Sequence, residues 1–288
     1  MLGKIRDALK FKYHPPQLAP AAPQPAPQAR PKLSPPVTQP FTGSTSETAG
    51  PLVRSPDMIK GNIDHSGHLR LLAKSDPEAV KMSIEALASS RQRLTVTYGT
   101  DEVSGYMTGE GMLDILTITR NGQTVTAYPV FKAGRPWPVR ITRITECENA
   151  LEGQLELSAG GTTLNFFDAM YFRGRHTYAP GKDTKALLAG IAYVVARTRG
   201  QGPQEDDLLV RYEGGDIDDY VFRGTVHDVA ETTAPGGKAR VIKTTVRLGH
   251  ESKPHDFYVC ATAGATQEKV GPGDRISGII WLQGFVLP

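Results

Sequence analysis

The sequence predicts a mainly β protein, a β-rich α+β chain. Two small barrel- or sandwich-like β units, related as an internal repeat, follow one helix and a disordered N-terminal arm. Three observations predict this. Past residue 94, short runs rich in Val, Ile, Thr, Phe and Tyr alternate with Gly, Pro and Asn turn signals. Helical start signals are clear at one place, near residue 77. Twelve of the 22 prolines crowd into residues 14–57.

The arm comes first. In residues 1–13, MLGKIRDALKFKY, a helical wheel puts Leu2, Ile5, Leu9 and Tyr13 on one face, with Lys4, Arg6 and Lys10 beside or away from it. Such a basic amphipathic segment suits a partner's groove or a membrane surface. Residues 14–57 read as a semi-extended, disordered spacer, because proline removes donors and the stretch has few apolar groups to offset lost chain entropy. The arm up to residue 57 carries seven Lys/Arg and three Asp/Glu. The chain nets +3, so the body is close to neutral. That balance lacks the basic excess of a dedicated duplex-DNA binder.

The body is expected to run as a helix plus first β unit over 58–200, an acidic linker over 201–220 and a second β unit over 221–288. Ser75-Asp-Pro-Glu78 is a helix start: a side-chain cap, proline in the first turn, an acid at the positive end of the dipole. The helix is predicted from Pro77 to Arg91, with Val80, Ile84 and Leu87 sharing one face. Asn121-Gly122 marks a tight hairpin. Strands are expected at 94–98, 114–120, 123–131, 139–147, 151–158, 162–172, 208–212, 220–231, 239–248, 256–263 and 275–286. Ala186–Arg197 reads equally as a buried strand or a helix.

A faint repeat joins 139–197 to 221–287. Ile141 and Ile144 match Val226 and Val229, Phe166-Phe167 matches Phe257-Tyr258, and Pro180-Gly181 matches Pro272-Gly273. Gly190-Ile-Ala-Tyr193 matches Gly278-Ile-Ile-Trp281. In size and strand count these units are OB-like or SH3-like.

Motifs that carry chemistry are sparse. Asp64-His65-Ser-Gly-His68 is a close histidine pair, and neutral imidazoles suit Zn or Ni, so His65 and His68 are the metal candidates, in a loop. The seven acids between Glu205 and Asp219 read as a solvated linker rather than a Ca²⁺ loop. Tyr171, Phe172, Arg173, Arg175 and His176 combine rings with cations, the pairing by which sheets hold single-stranded nucleic acid. Cys147 and Cys260 are expected as buried thiols. There is no GxSxG, no Walker sequence and no GxGxxG, and no cofactor is expected.

The balance favours a non-enzymatic binding or scaffold protein. Its β body docks a protein partner, and its arm tethers it. Leu2, Ile5, Leu9 and Tyr13 are the docking residues toward that partner or a peripheral membrane surface. Single-stranded nucleic-acid binding and a metal-dependent enzyme are the alternatives. Without an apolar run long enough to span a bilayer, or a signal-peptide h-region, the expected compartment is the cytoplasm.

Overall fold

The computed structural model describes residues 44–53, 59–198, 207–249, 253–266 and 268–287. The amphipathic segment, with Leu2, Ile5, Leu9 and Tyr13, and the spacer up to residue 43 lie outside the described residues. The chain is mainly β, with two sheets and few helices.

The first sheet has the order β1-β3-β4-β5-β6, built from Thr45–Ala49, Gln92–Tyr98, Asp101–Met107, Leu113–Arg120 and Gln123–Phe131. Its last four strands form an antiparallel meander, and β1 lies parallel to β3. The β5–β6 turn places Asn121 at φ 52° and Gly122 at φ 79°, the left-handed pair that this hairpin needs. β1 falls within the stretch predicted as spacer. Its residues, with Thr45, Glu47 and Ala49 half-buried and Ser46 and Thr48 exposed, pair along β3 from Thr45–Leu94 to Ala49–Tyr98, so the spacer ends earlier than expected.

Among the described residues two helices precede β3: α1 (Ser66–Leu69) and α2 (Asp76–Ala88). Ser75 caps α2 by accepting from the Glu78 N–H, as its sequence predicts. The buried face differs from the predicted one. α2 rests on the sheet through Ala79, Met82 and Ala86, around Ile115. Val80 and Ile84 point outward, 59% and 62% exposed. The small residues let the helix lie close to β5, where the Thr117 hydroxyl meets the Ser83 carbonyl. Turning Val80 inward would push the two apart.

The second sheet has ten strands: β2 (Ile59–Lys60), β7 (Arg135–Cys147), β8 (Gly153–Ala159), β9 (Thr162–Asp168), β10 (Asp183–Arg197), β11 (Leu208–Arg211), β12 (Asp219–Ala234), β13 (Gly237–Val246), β14 (His255–Thr262) and β15 (Arg275–Val286). A short helix, α3 (Tyr171–Gly174), follows β9. The ambiguous stretch 186–197 is strand, within β10.

The pairings close two rings. β7, β8, β9, β15 and β10 form one: each contact is antiparallel except β9 with β15. β12, β13, β14, β10 and β15 form the other, where β14 with β10 is the parallel contact. In each ring the third strand lies parallel to the fifth; in the second ring that fifth strand, β10, precedes the other four in the chain. The fifth strand of each ring is the fourth strand of its neighbour. β10 and β15 therefore belong to both barrels and pair with each other over most of their length. Glycine permits this tight crossing. A Cβ on Gly278 would sit 2.1 Å from the Val194 carbonyl oxygen, and one on Gly284 would sit 2.0 Å from that of Leu187.

One apolar core fills the barrels, around Ile141, Leu155, Phe166, Phe222, Ile242, Phe257 and Ile280. A second lies between the five-stranded sheet and the outer faces of β9, β10, β13, β14 and β15, with Met107, Tyr128, Phe172, Tyr258 and Trp281. The expected acidic linker is also built in. Residues 201–206 lie outside the described residues, but 208–211 form β11, and Asp218 and Asp219 are buried.

Candidate functional site

Strand sharing creates two seams, where a shared strand changes its partner from one barrel to the other. Along β15, Trp281 pairs with Asp219 of β12, and Gln283 pairs with Phe167 of β9. Along β10, Leu188 pairs with Arg135 of β7, and Gly190 pairs with Val259 of β14. Junctions of this kind are where proteins tend to place ligand sites.

The β15 seam is acidic and closed. Trp281 donates its indole N–H to Asp218 Oδ2 at 3.1 Å, and Gln154 donates to the same oxygen at 2.9 Å. The Tyr193 hydroxyl donates to Asp219 Oδ1 at 2.9 Å. Burial pushes the Asp218 carboxyl above the ordinary range, and pushes Asp219 up to about 6. α1 covers this seam. Its His68 ring stacks on Trp281 at 3.8 Å between centroids and 8° between planes. His65 packs against Tyr128, Phe167 and Trp281.

The two imidazoles face each other, Nδ1 to Nδ1, at 3.0 Å. One must donate and the other accept, so a single proton lies between them. His65 Nε2 meets Glu152 Oε1 at 2.5 Å. Glu152 in turn accepts from Asn149 and from the Thr126 hydroxyl. Burial, and then the neighbouring His65 charge, push His68 down to about 3. The arrangement is a proton-sharing chain, Glu152–His65–His68, with both histidines at most 7% exposed.

The predicted metal pair is thus brought together, but not in a surface loop. Its facing nitrogens satisfy each other, and among the described residues no group of three His, Cys, Asp or Glu is placed to hold a metal. Glu152 lies 87 residues from His65, a partnership with no local signal in the sequence.

The predicted ring-and-cation segment is taken apart by the fold. Tyr171 and Phe172 are in the core, 2% and 0% exposed, and offer no ring face to a base. Tyr171 donates to Glu146 at 2.9 Å, and Arg175 closes on the same carboxylate at 2.6 Å. Arg173 is bound by Glu47 of β1. His176 alone of the five is exposed. The segment anchors the barrel to β1 rather than forming a stacking platform. Cys147 and Cys260 are buried and free, their thiols pushed up by burial.

No sequence motif marks the β10 seam. It holds Arg135, Lys243 and Asp256, two cations sharing one carboxylate. Its signal was available in β13, where alternation sets Lys243 on the face of Ala239 and Val241. A lysine in an apolar row asks for a reason.

Comparison with protein-family models, with curated proteins and with solved structures gives no match for this chain.

Proposed function

We propose that this chain is a non-enzymatic binding protein whose double-barrel body docks a protein partner through the outer face of α2, with the N-terminal segment acting as a tether. The observation that carries the reading is the outward turn of Val80 and Ile84. Two β-branched aliphatics on one outward helical face form a small apolar patch that a partner could cover. A separate groove of about 190 Å³ runs along the other side of α2, lined by Met82, Glu85, Ala86, Glu110, Ala234 and Pro235 and not by Val80 or Ile84.

The polar clusters agree with a binding role. Glu152–His65–His68 and Glu146–Arg175–Tyr171 sit inside the body and tie its parts together. Among the described residues no helix is long and apolar enough to cross a membrane. The two barrels, in this reading, are copies of one ancestral unit, and the tether works through Leu2, Ile5, Leu9 and Tyr13.

The test is in-cell crosslinking of the full chain, of Val80→Asp/Ile84→Asp, and of a chain lacking residues 1–43. The exposed substitutions leave stability within about 0.5 kcal/mol. A defined protein crosslinked to the full chain and lost from the double variant is the expected result. Identical crosslinks from both chains would refute docking at α2.

A further inference from the structure

The two seams are topological mates, yet their chemistry is opposite. At the β15 seam the cluster is acidic, its carboxylates take hydrogen bonds from Trp281, Gln154 and Tyr193, and α1 covers it. At the β10 seam the charges are basic and incompletely met. Lys243 Nζ lies 3.0 Å from Asp256 Oδ2, and Arg135 Nη2 lies 3.2 Å from the same oxygen. Two cations against one carboxylate leave an excess charge of +1.

The donors are also unspent. The Lys243 side chain is 4% exposed, and its ammonium makes no directed hydrogen bond. Its other neighbour is the Tyr258 ring, 5.8 Å from centroid to Nζ. Arg135 Nε is likewise buried without an acceptor. A buried ammonium has three donors to place, and leaving them unmet costs free energy. The seam is not sealed: Arg135 and Asp256 are 31% and 33% exposed, so they form its mouth. Each barrel supplies one cation, Arg135 from β7 and Lys243 from β13.

We propose that this seam is a binding site for a phosphate-type oxyanion, held jointly by Lys243 and Arg135. Such an ion offers several acceptor oxygens and a charge near −2, enough to accept from the ammonium and the guanidinium together. A second carboxylate would bring fewer acceptors and less charge. Asp256 acts as the resident counter-ion. It keeps the cations paired when the site is empty and competes with the incoming anion. The assignment is independent of the docking face on α2.

The experiment is calorimetric titration of the full chain with inorganic phosphate, at fixed ionic strength set with sodium chloride. Saturable binding is expected in the wild type. Asp256→Asn, which removes the competing charge, is expected to bind about tenfold tighter, and Lys243→Met at least tenfold weaker. Should Lys243→Met fail to fold, Arg135→Gln at the open mouth replaces it and should also weaken binding. Displacement of phosphate by an eight-nucleotide single-stranded DNA would identify the phosphate as part of a strand. Phosphate bound without such displacement would identify it as free or monoester phosphate. Absence of saturable binding in both the wild type and Asp256→Asn overturns the proposal, as does binding unaffected by Arg135→Gln.

Discussion

Asp168 ends β9 beside the acidic seam, and its burial makes a pH-dependent prediction. The residue is 0% exposed. Its Oδ1 accepts from the Met170 N–H at 2.9 Å, while Oδ2 lacks a well-formed hydrogen bond. Burial pushes its carboxyl from 3.8 up to about 7, against smaller opposing contributions from Tyr178 and Met170. The folded state therefore holds a proton that the unfolded state releases. Below pH 3.8 both states are protonated and the group costs nothing. As pH rises the cost grows, and above pH 7, where both states are ionised, it levels off at about 4 kcal/mol. Asp168→Asn keeps an acceptor for Met170 and removes the titration. Urea unfolding of both proteins across pH 4 to 9 reads the difference. The mutant's stability relative to wild type should climb by about 1.4 kcal/mol per pH unit between the two pKa values, then stay level. Parallel stability curves for the two proteins would refute the reasoning.

Other perturbations follow from the same geometry. Arg175→Met leaves Glu146 buried beside Tyr171 without its cation and should cost about 3–5 kcal/mol in urea unfolding, with Arg175→Met/Glu146→Gln recovering most of it. Gly284→Ala drives a methyl into the Leu187 carbonyl and should lose about 3 kcal/mol or fail to fold, whereas Gly271→Ala, with open space around it, should change stability by under about 0.5 kcal/mol. Starting the chain at residue 58 instead of 44 removes β1 and the Glu47 partner of Arg173, and should lower the melting temperature by roughly 3–8 °C in a calorimetric scan.

What the sequence shows, and what it hides, divides by range. The Ser75 cap, the Asn121-Gly122 turn and the alternating strands are set by neighbours a few residues apart, so they are legible. The face of α2 is not. Its orientation is decided by how closely Ala79 and Ala86 let it approach Ile115, and hydrophobicity alone favours Val80 and Ile84 for burial. His65 and His68 read as a loop pair because Gly67 separates them, and nothing nearby announces Glu152. Tyr171 and Phe172 read as a platform because rings beside arginines look the same on an exposed sheet and in a core. The acids at Asp218 and Asp219 read as solvated until Trp281 and Tyr193 are seen to bond them.

The seams explain why the functional candidates lie where no local motif points. A barrel with its own five strands closes on itself and presents only its surface. Here β10 and β15 each serve two rings, so each ring needs the other half of the chain to close. At both points of exchange a strand edge is handed from one partner to another, and side chains from different barrels meet beside a gap in the pairing. On β15 the gap is filled by a carboxylate network under two histidines. On β10 it is met by two cations and a single acid. The same topology thus yields one junction whose Asp218 and Asp219 carboxylates take hydrogen bonds and one with donors to spare, and the unspent donors are what point to an incoming anion there.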